Sequence, residues 1–185
     1  MKHRILVAAL PLAAFIAACN DPSGPGEGSE DSRVAIAYTG AVSGIFVGEG
    51  DPDLSTAPST QTFATANRAA DGTVEVIAYG QRGGSRFDLA TITIPNAAVG
   101  QAAVEVCPGE TCSSVALALD LGRTTGSVAT HTCHLDEGSI RVTSITQTRV
   151  KGTVSGSGYC IPGAGGDLVD FQIASGTFDV RIRTP

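Results

Sequence analysis

His131-Thr132-Cys133-His134 is the densest group of metal-ligand side chains in this 185-residue sequence, whose only other histidine is His3. Zinc needs imidazole nitrogens and thiolates converging on one point. Side chains alternate along a strand, so His131 and Cys133 share one face and His134 takes the other, and the three meet only across a bulge. Cys160, Asp136 or Glu137 could complete a ligand set, but an oxidised Cys133 has no thiolate to give. The group reads as surface histidines flanking a disulfide, and no metal site is expected.

The other polar groups give no stronger chemistry. Glu49-Gly50-Asp51-Pro52-Asp53 clusters the oxygens calcium favours but lacks the position-six glycine and position-twelve glutamate of an EF-hand loop, and reads as a solvated turn. Asp120, Asp136, Glu137, Asp167 and Asp170 are candidates for the paired acids of glycoside hydrolysis, yet the chain has no Trp and only Tyr38, Tyr79 and Tyr159 as sugar platforms beside its phenylalanines. There is no G-x-S-x-G elbow and no S-x-x-K, and Gly163-Ala164-Gly165-Gly166 lacks the lysine and helix start of a phosphate cradle. No catalytic residue and no cofactor is expected, and the chain reads as a non-enzyme.

Cysteine usage says more. Lys2 and Arg4 precede an apolar stretch over residues 5–18, interrupted by Pro11 and shorter than the roughly 20 residues a membrane-spanning helix needs. Ile16-Ala17-Ala18-Cys19 resembles the lipobox of bacterial lipoproteins. The resemblance implies cleavage before Cys19, a diacylglycerol thioether on its sulfur and a fatty acid such as palmitate on its amino group. The alternative, a secretory signal cut after Ala17 or Ala18, leaves Cys19 as an unpaired thiol. Lipidation accounts for the odd member of five cysteines. Residues 1–18 are then a signal peptide, 19–32 a lipidated cysteine with an acidic Gly/Pro/Ser tether, and 33–185 one all-β domain. A flexible chain of about 13 residues reaches roughly 20 Å. The expected address is the cell envelope, with the outer membrane favoured and the domain in the periplasm or at the cell surface; the expected partners are the lipid bilayer, through acylated Cys19, and another envelope protein.

The net charge of −6 becomes −8 once Lys2 and Arg4 leave with the leader. Cations are scattered, and Arg181 with Arg183 is the nearest approach to a basic stripe, so nucleic acid is not an expected partner. Outside the cytosol, Cys107, Cys112, Cys133 and Cys160 form an even set with three possible pairings. Cys107 with Cys112 across the Pro108-Gly109 turn, and Cys133 with Cys160, is the favoured one.

The elements that must position these residues are strands. Val34, Ile36 and Tyr38 alternate with Ala35, Ala37 and Thr39; Val74 and Val76 lead into Ala78; Ala90, Ile92 and Ile94 alternate with Leu89, Thr91 and Thr93. Turn residues such as Asp71-Gly72, Gly83-Gly84, Pro95-Asn96 and Glu137-Gly138 break the runs at the spacing of sandwiches and barrels. The expectation is an antiparallel β-sandwich or β-barrel of about nine to ten strands, stapled by two disulfides, with Phe46, Phe63, Phe87, Phe171 and Phe178 as its larger core pieces. Residues 127–134, 139–146 and 149–158 read as a three-strand meander. Its first and third strands would hold Cys133 and Cys160 roughly 10 Å apart until the chain past Gly158 curls inward. Residues 168–174 and 177–182 read as a closing hairpin turning at Ser175-Gly176.

Ile140-Arg141-Val142-Thr143-Ser144, Val150-Lys151-Gly152-Thr153-Val154 and Ser175-Gly176-Thr177-Phe178-Asp179-Val180 are similar to the last strands of uncharacterised bacterial lipoprotein β-domains. That resemblance covers about the last 50 residues and the leader, and implies a fold and an address without an activity. The functional expectation is a membrane-anchored, non-enzymatic structural or interaction module. The alternative is a small β-barrel that takes an apolar ligand or lipid.

Overall fold

The computed structural model describes residues 31–53, 55–56, 61–83, 86–105, 112–122 and 128–183. The leader, Cys19 and Cys107 lie outside the described residues. Ten strands run in chain order: β1 (Arg33–Gly40), β2 (Gly44–Glu49), β3 (Phe63–Arg68), β4 (Val74–Gly83), β5 (Arg86–Ile94), β6 (Gly100–Glu105), β7 (Ser114–Gly122), β8 (His131–Ile145), β9 (Arg149–Pro162) and β10 (Val169–Arg183). There is no helix among the described residues. All pairings are antiparallel except a short parallel contact that sets Ile182 and Arg183 of β10 beside Ala66 and Asn67 of β3.

The hydrogen-bonded path runs from β10 through β9, β8, β7, β5, β4 and β3 and returns to β10. The β1–β2 hairpin lies along β10, and β6 lies along β8 next to β7. Period-two alternation builds the core: Val34, Ile36 and Tyr38 of β1, Val74, Val76 and Ala78 of β4, Ala90, Ile92 and Ile94 of β5, and Val115, Leu117 and Leu119 of β7 are all buried in one cluster. Each fully buried Val, Leu or Ile contributes about 1.5–3 kcal/mol relative to exposure. Phe46, Phe171 and Phe178 join that cluster. Phe63 and Phe87 are buried elsewhere, stacked on either side of Tyr79 at centroid distances of 4.7 and 5.4 Å.

The carboxy-terminal half departs from the meander. Residues expected to form two strands and a turn at Glu137-Gly138 are the single strand β8, whose register shifts between Leu135 and Glu137. Cys133 and Leu135 face inward before the shift; Ile140 and Val142 face inward after it. One extra residue reverses the parity of a strand without ending it, which is what a β-bulge does. The expected hairpin at Ser175-Gly176 is likewise the continuous β10, with Ala174 and Ser175 as the irregular step between inward Phe171 and Ile173 and inward Phe178, Val180 and Ile182. Where β8 and β9 bend together, Gly138 faces Gly156, with φ of +152° and +158°. A Cβ on Gly138 would lie 2.3 Å from the Ser155 carbonyl oxygen, and one on Gly156 would lie 2.3 Å from that of Glu137.

These corrections change the disulfide argument. Cys133 and Cys160 sit directly opposite each other on adjacent strands, with Cα atoms 3.8 Å apart and both residues fully buried. No inward curl is required. This is the one disulfide among the described residues with both halves in view, where two were expected; Cys112 is also disulfide-bonded, and its expected partner Cys107 lies outside them. Ser32, placed by composition in the tether, is buried: its hydroxyl donates to Asp51 at 2.7 Å and accepts the Arg181 N–H at 3.0 Å.

Candidate functional site

β2 pairs with β1 on one side only, and the pairing of β4 with β3 starts at Tyr79 opposite Phe63. Residues 80–83 of β4 pair with β5 on one side and extend past the start of the β3 pairing on the other, where the Gln81 side chain donates to the Gln61 carbonyl at 3.1 Å. Between these two strand edges lies a partly open cleft of about 340 Å³, with Tyr38, Ser43, Ile45, Gln81, Arg82 and Asp88 in its walls. The seam is closed at one end. A Cβ on Gly80 would lie 2.6 Å from the Val47 carbonyl oxygen, so only glycine lets β4 approach β2 there.

Its floor is an ion pair. Asp88 sits on β5 just before inward-facing Ala90, Ile92 and Ile94, so the strand carries its carboxylate into the domain, where the side chain is 7% exposed. Arg82 Nε donates to both carboxylate oxygens, at 2.7 and 2.8 Å, and the Asp120 N–H donates to Oδ1 at 2.7 Å. Asp120 has φ of +58°, unusual outside glycine, and its side chain pairs with Arg86. Arg82 Nη2 donates to the Tyr38 hydroxyl at 2.8 Å. Burial works against the Arg82 charge, but the Asp88 carboxylate outweighs it and holds the guanidinium above its ordinary pKa. Burial also pushes the Tyr38 phenol up, against the opposing pull of Arg82, so the hydroxyl keeps its proton through the neutral range.

The acceptors in this group are used and several donors are not. Asp88 receives three hydrogen bonds, whereas Arg82 Nη1 and the Ser43 hydroxyl have no partner among the described residues, and the Tyr38 hydroxyl accepts one bond while retaining its own O–H. The cleft therefore presents N–H and O–H groups, one of them cationic, to whatever enters.

The residues singled out from sequence lie elsewhere. His134 is half-buried beside the Tyr159 ring at 6.1 Å, and desolvation lowers its pKa. Cys133 points into the core, bonded to Cys160, and no group of three His, Cys, Asp or Glu side chains that could hold a metal occurs among the described residues. In the acidic loop, Asp51 pairs with Arg181 at 2.7 Å, and Asp53 accepts hydrogen bonds from Ser55 and Thr56 that lower its pKa. Glu137 accepts from the Ser157 hydroxyl, while Asp136, Asp167 and Asp170 are exposed. Of the candidate acids, only Asp120 reaches the cleft's ion-pair network. Arg183 donates to the Pro52 carbonyl at 2.9 Å. No helix among the described residues is long and apolar enough to cross a membrane.

Comparison with family models, with curated proteins and with solved structures found no match. Sequence reasoning passed over Arg82 and Asp88, and named Tyr38 only as a strand residue and a possible sugar platform. A signal was present: Asp88 occupies an inward position of an apolar strand, and an arginine stands on each side of the Gly83-Gly84 turn that leads to it.

Proposed function

We propose that this chain is a lipid-anchored protein of the cell envelope, tethered through Cys19, whose β-domain is a non-enzymatic structural or interaction module built as a flattened, closed barrel. The observation that carries the module reading is the filled interior. Tyr38, Phe46, Phe171, Phe178, Ile92 and Leu117 from five strands are fully buried against one another, which leaves the core as scaffold and puts recognition on its rim. The circuit of strand pairs from β10 back to β10 favours barrel over sandwich. A buried cross-strand disulfide suits an oxidising compartment. The Cys107–Cys112 bridge belongs to the same proposal.

The cleft bears on the second reading, an apolar-ligand barrel. Its volume suffices for a small ligand, but Ser43, Gln81, Arg82 and Asp88 line it, and an apolar guest would strip water from an ion pair without replacing its hydrogen bonds. That chemistry favours a polar guest. Intact mass of the protein purified from its native membrane, with and without reduction, tests the proposal. The expected species starts at Cys19, carries acyl chains and gains two hydrogens for each of two bridges. A species that retains residues 1–18 and free thiols overturns it.

A further inference from the structure

We infer that Ser32, the last residue before β1, is a latch: it holds shut the junction between β3 and β10 through which the strand circuit closes, and drawing it from its seat opens that junction first. Three observations lead there. First, the junction is short and thinly packed. β3 lies along β4 over six residue pairs but meets β10 only at Ala66 and Asn67. Its members of the core cluster are Ala64 and Ala66, with one methyl each, and Ile182 across the junction is, at 7%, the most exposed member of that cluster. A strand pair with so little apolar contact is the one that local opening takes first.

Second, hydrogen bonds supply what packing does not, and they converge on Ser32. The segment after β2 bridges the start of β1 to β3: the Gly50 N–H donates to the Ser32 carbonyl at 2.8 Å, and the Gly50 carbonyl accepts the Ala64 N–H at 2.9 Å. The Pro52 carbonyl accepts from Arg183 at 2.9 Å. The Ser32 hydroxyl donates to Asp51 at 2.7 Å and accepts the Arg181 N–H at 3.0 Å, and Asp51 also pairs with Arg181. One side chain thus ties this segment to β10 immediately before Ile182, where the junction begins.

Third, Ser32 is fully buried although no strand contains it. Without its hydroxyl, the buried Arg181 N–H would lose its acceptor and Asp51 a donor. The residue before it is held as well, since Arg149 Nη2 donates to the Asp31 carbonyl at 3.1 Å. A pull on the amino-terminal segment therefore reaches the Ser32 bonds before it reaches the β1 ladder.

This goes beyond the module reading by giving the domain a point at which its anchor acts on its closure. The load that unseats Ser32 in a cell rests on the Cys19 tether, but the latch is read from residues 31–183, so the mass measurement and the exchange measurement fail separately. The test is native-state hydrogen exchange of the ¹⁵N-labelled full chain in detergent, for the parent, Ser32→Ala, Asp51→Ala and Arg33→Gln. In both latch variants the amides of Gly50 and Ala64 keep their acceptors, the main-chain carbonyls of residues 32 and 50, so faster exchange there reports opening rather than a lost bond. The expected result is exchange at least about ten-fold faster at Gly50, Ala64 and Arg181 in Ser32→Ala and in Asp51→Ala, with parental rates in β5, β7 and β8. Arg33→Gln, which removes the exposed pair with Glu49 one residue along, keeps parental rates throughout. Unchanged exchange at Gly50 and Ala64 in either latch variant, faster exchange or loss of the folded spectrum across the whole domain, or the same opening in Arg33→Gln each overturns the inference.

Discussion

Arg82 holds Asp88 through a single nitrogen, Nε, which is within 2.8 Å of both carboxylate oxygens. The pair is asymmetric, because the Arg82 side chain is 41% exposed and the Asp88 side chain 7%. Water can replace Asp88 at Arg82 far more easily than it can replace Arg82 at Asp88.

The two deletions should therefore cost different amounts. Arg82→Ala strands a buried carboxylate and is expected to cost about 3 kcal/mol, whereas Arg86→Ala, at the more exposed pair with Asp120, should cost about 1 kcal/mol or less. Urea unfolding midpoints of the two variants rank them directly. Equal losses would mean that Asp88 is reached by water after all.

Alkaline stability should report Tyr38. Its phenol is raised above 10.0 by burial, so the folded state binds that proton more tightly than the unfolded chain. The stability this contributes is complete below pH 10 and is lost as pH climbs from there through the folded-state value. Thermal midpoints between pH 9 and pH 12 should fall less steeply in Tyr38→Phe than in the parent chain.

His134 should act in the opposite direction. Desolvation lowers its pKa below 6.5, so its contribution is complete above pH 6.5 and is lost as pH falls through the depressed value. His134→Gln should flatten the thermal midpoint between pH 7 and pH 5, a range above the ordinary aspartate value of 3.8, from which Asp53 and Asp71 are lowered by their hydrogen bonds.

The Cys133–Cys160 bridge closes a loop with a sequence separation of 27, for which chain entropy gives about 3.5 kcal/mol. Cys133→Ala with Cys160→Ala should lower the unfolding free energy by about that much while leaving the β8–β9 pairing intact. Both cysteines are fully buried, so alkylation after mild reduction should require denaturant. Rapid labelling in buffer alone would contradict that burial.

Gly138→Ala and Gly156→Ala should each cost about 2–4 kcal/mol, because each adds a methyl against a carbonyl oxygen at a φ that side chains rarely adopt. A Gly100→Ala control, at a similar φ of +145° but with nothing within 4 Å, isolates the conformational part of that cost. Circular dichroism melts of the three variants give the comparison.

Local alternation was enough to place the strands around Val34, Val74 and Ile92, because their inward positions follow a strict period of two over a single partner face. It was not enough at Glu137-Gly138 or Ala174-Ser175. Small residues there reverse the parity, and reversal by a bulge and reversal by a turn look alike until the partner strand is known. β9 decides the matter in both cases, running past each irregularity without a break. The cleft was harder to foresee for a related reason. Tyr38, Arg82 and Asp88 come from three strands, and only the wedge between β2 and β4 brings them together. The densest sequence cluster, at His131 to His134, instead divides between the core and the outer surface.

β10 touches β1, β3 and β9, so two early strands and the last but one share one neighbour. Nothing made before residue 169 can complete that arrangement. The circuit of strands therefore closes only through contacts far apart in sequence, and such non-local pairing folds slowly. Truncation ahead of residue 169 would therefore leave β1, β3 and β9 without the neighbour they share.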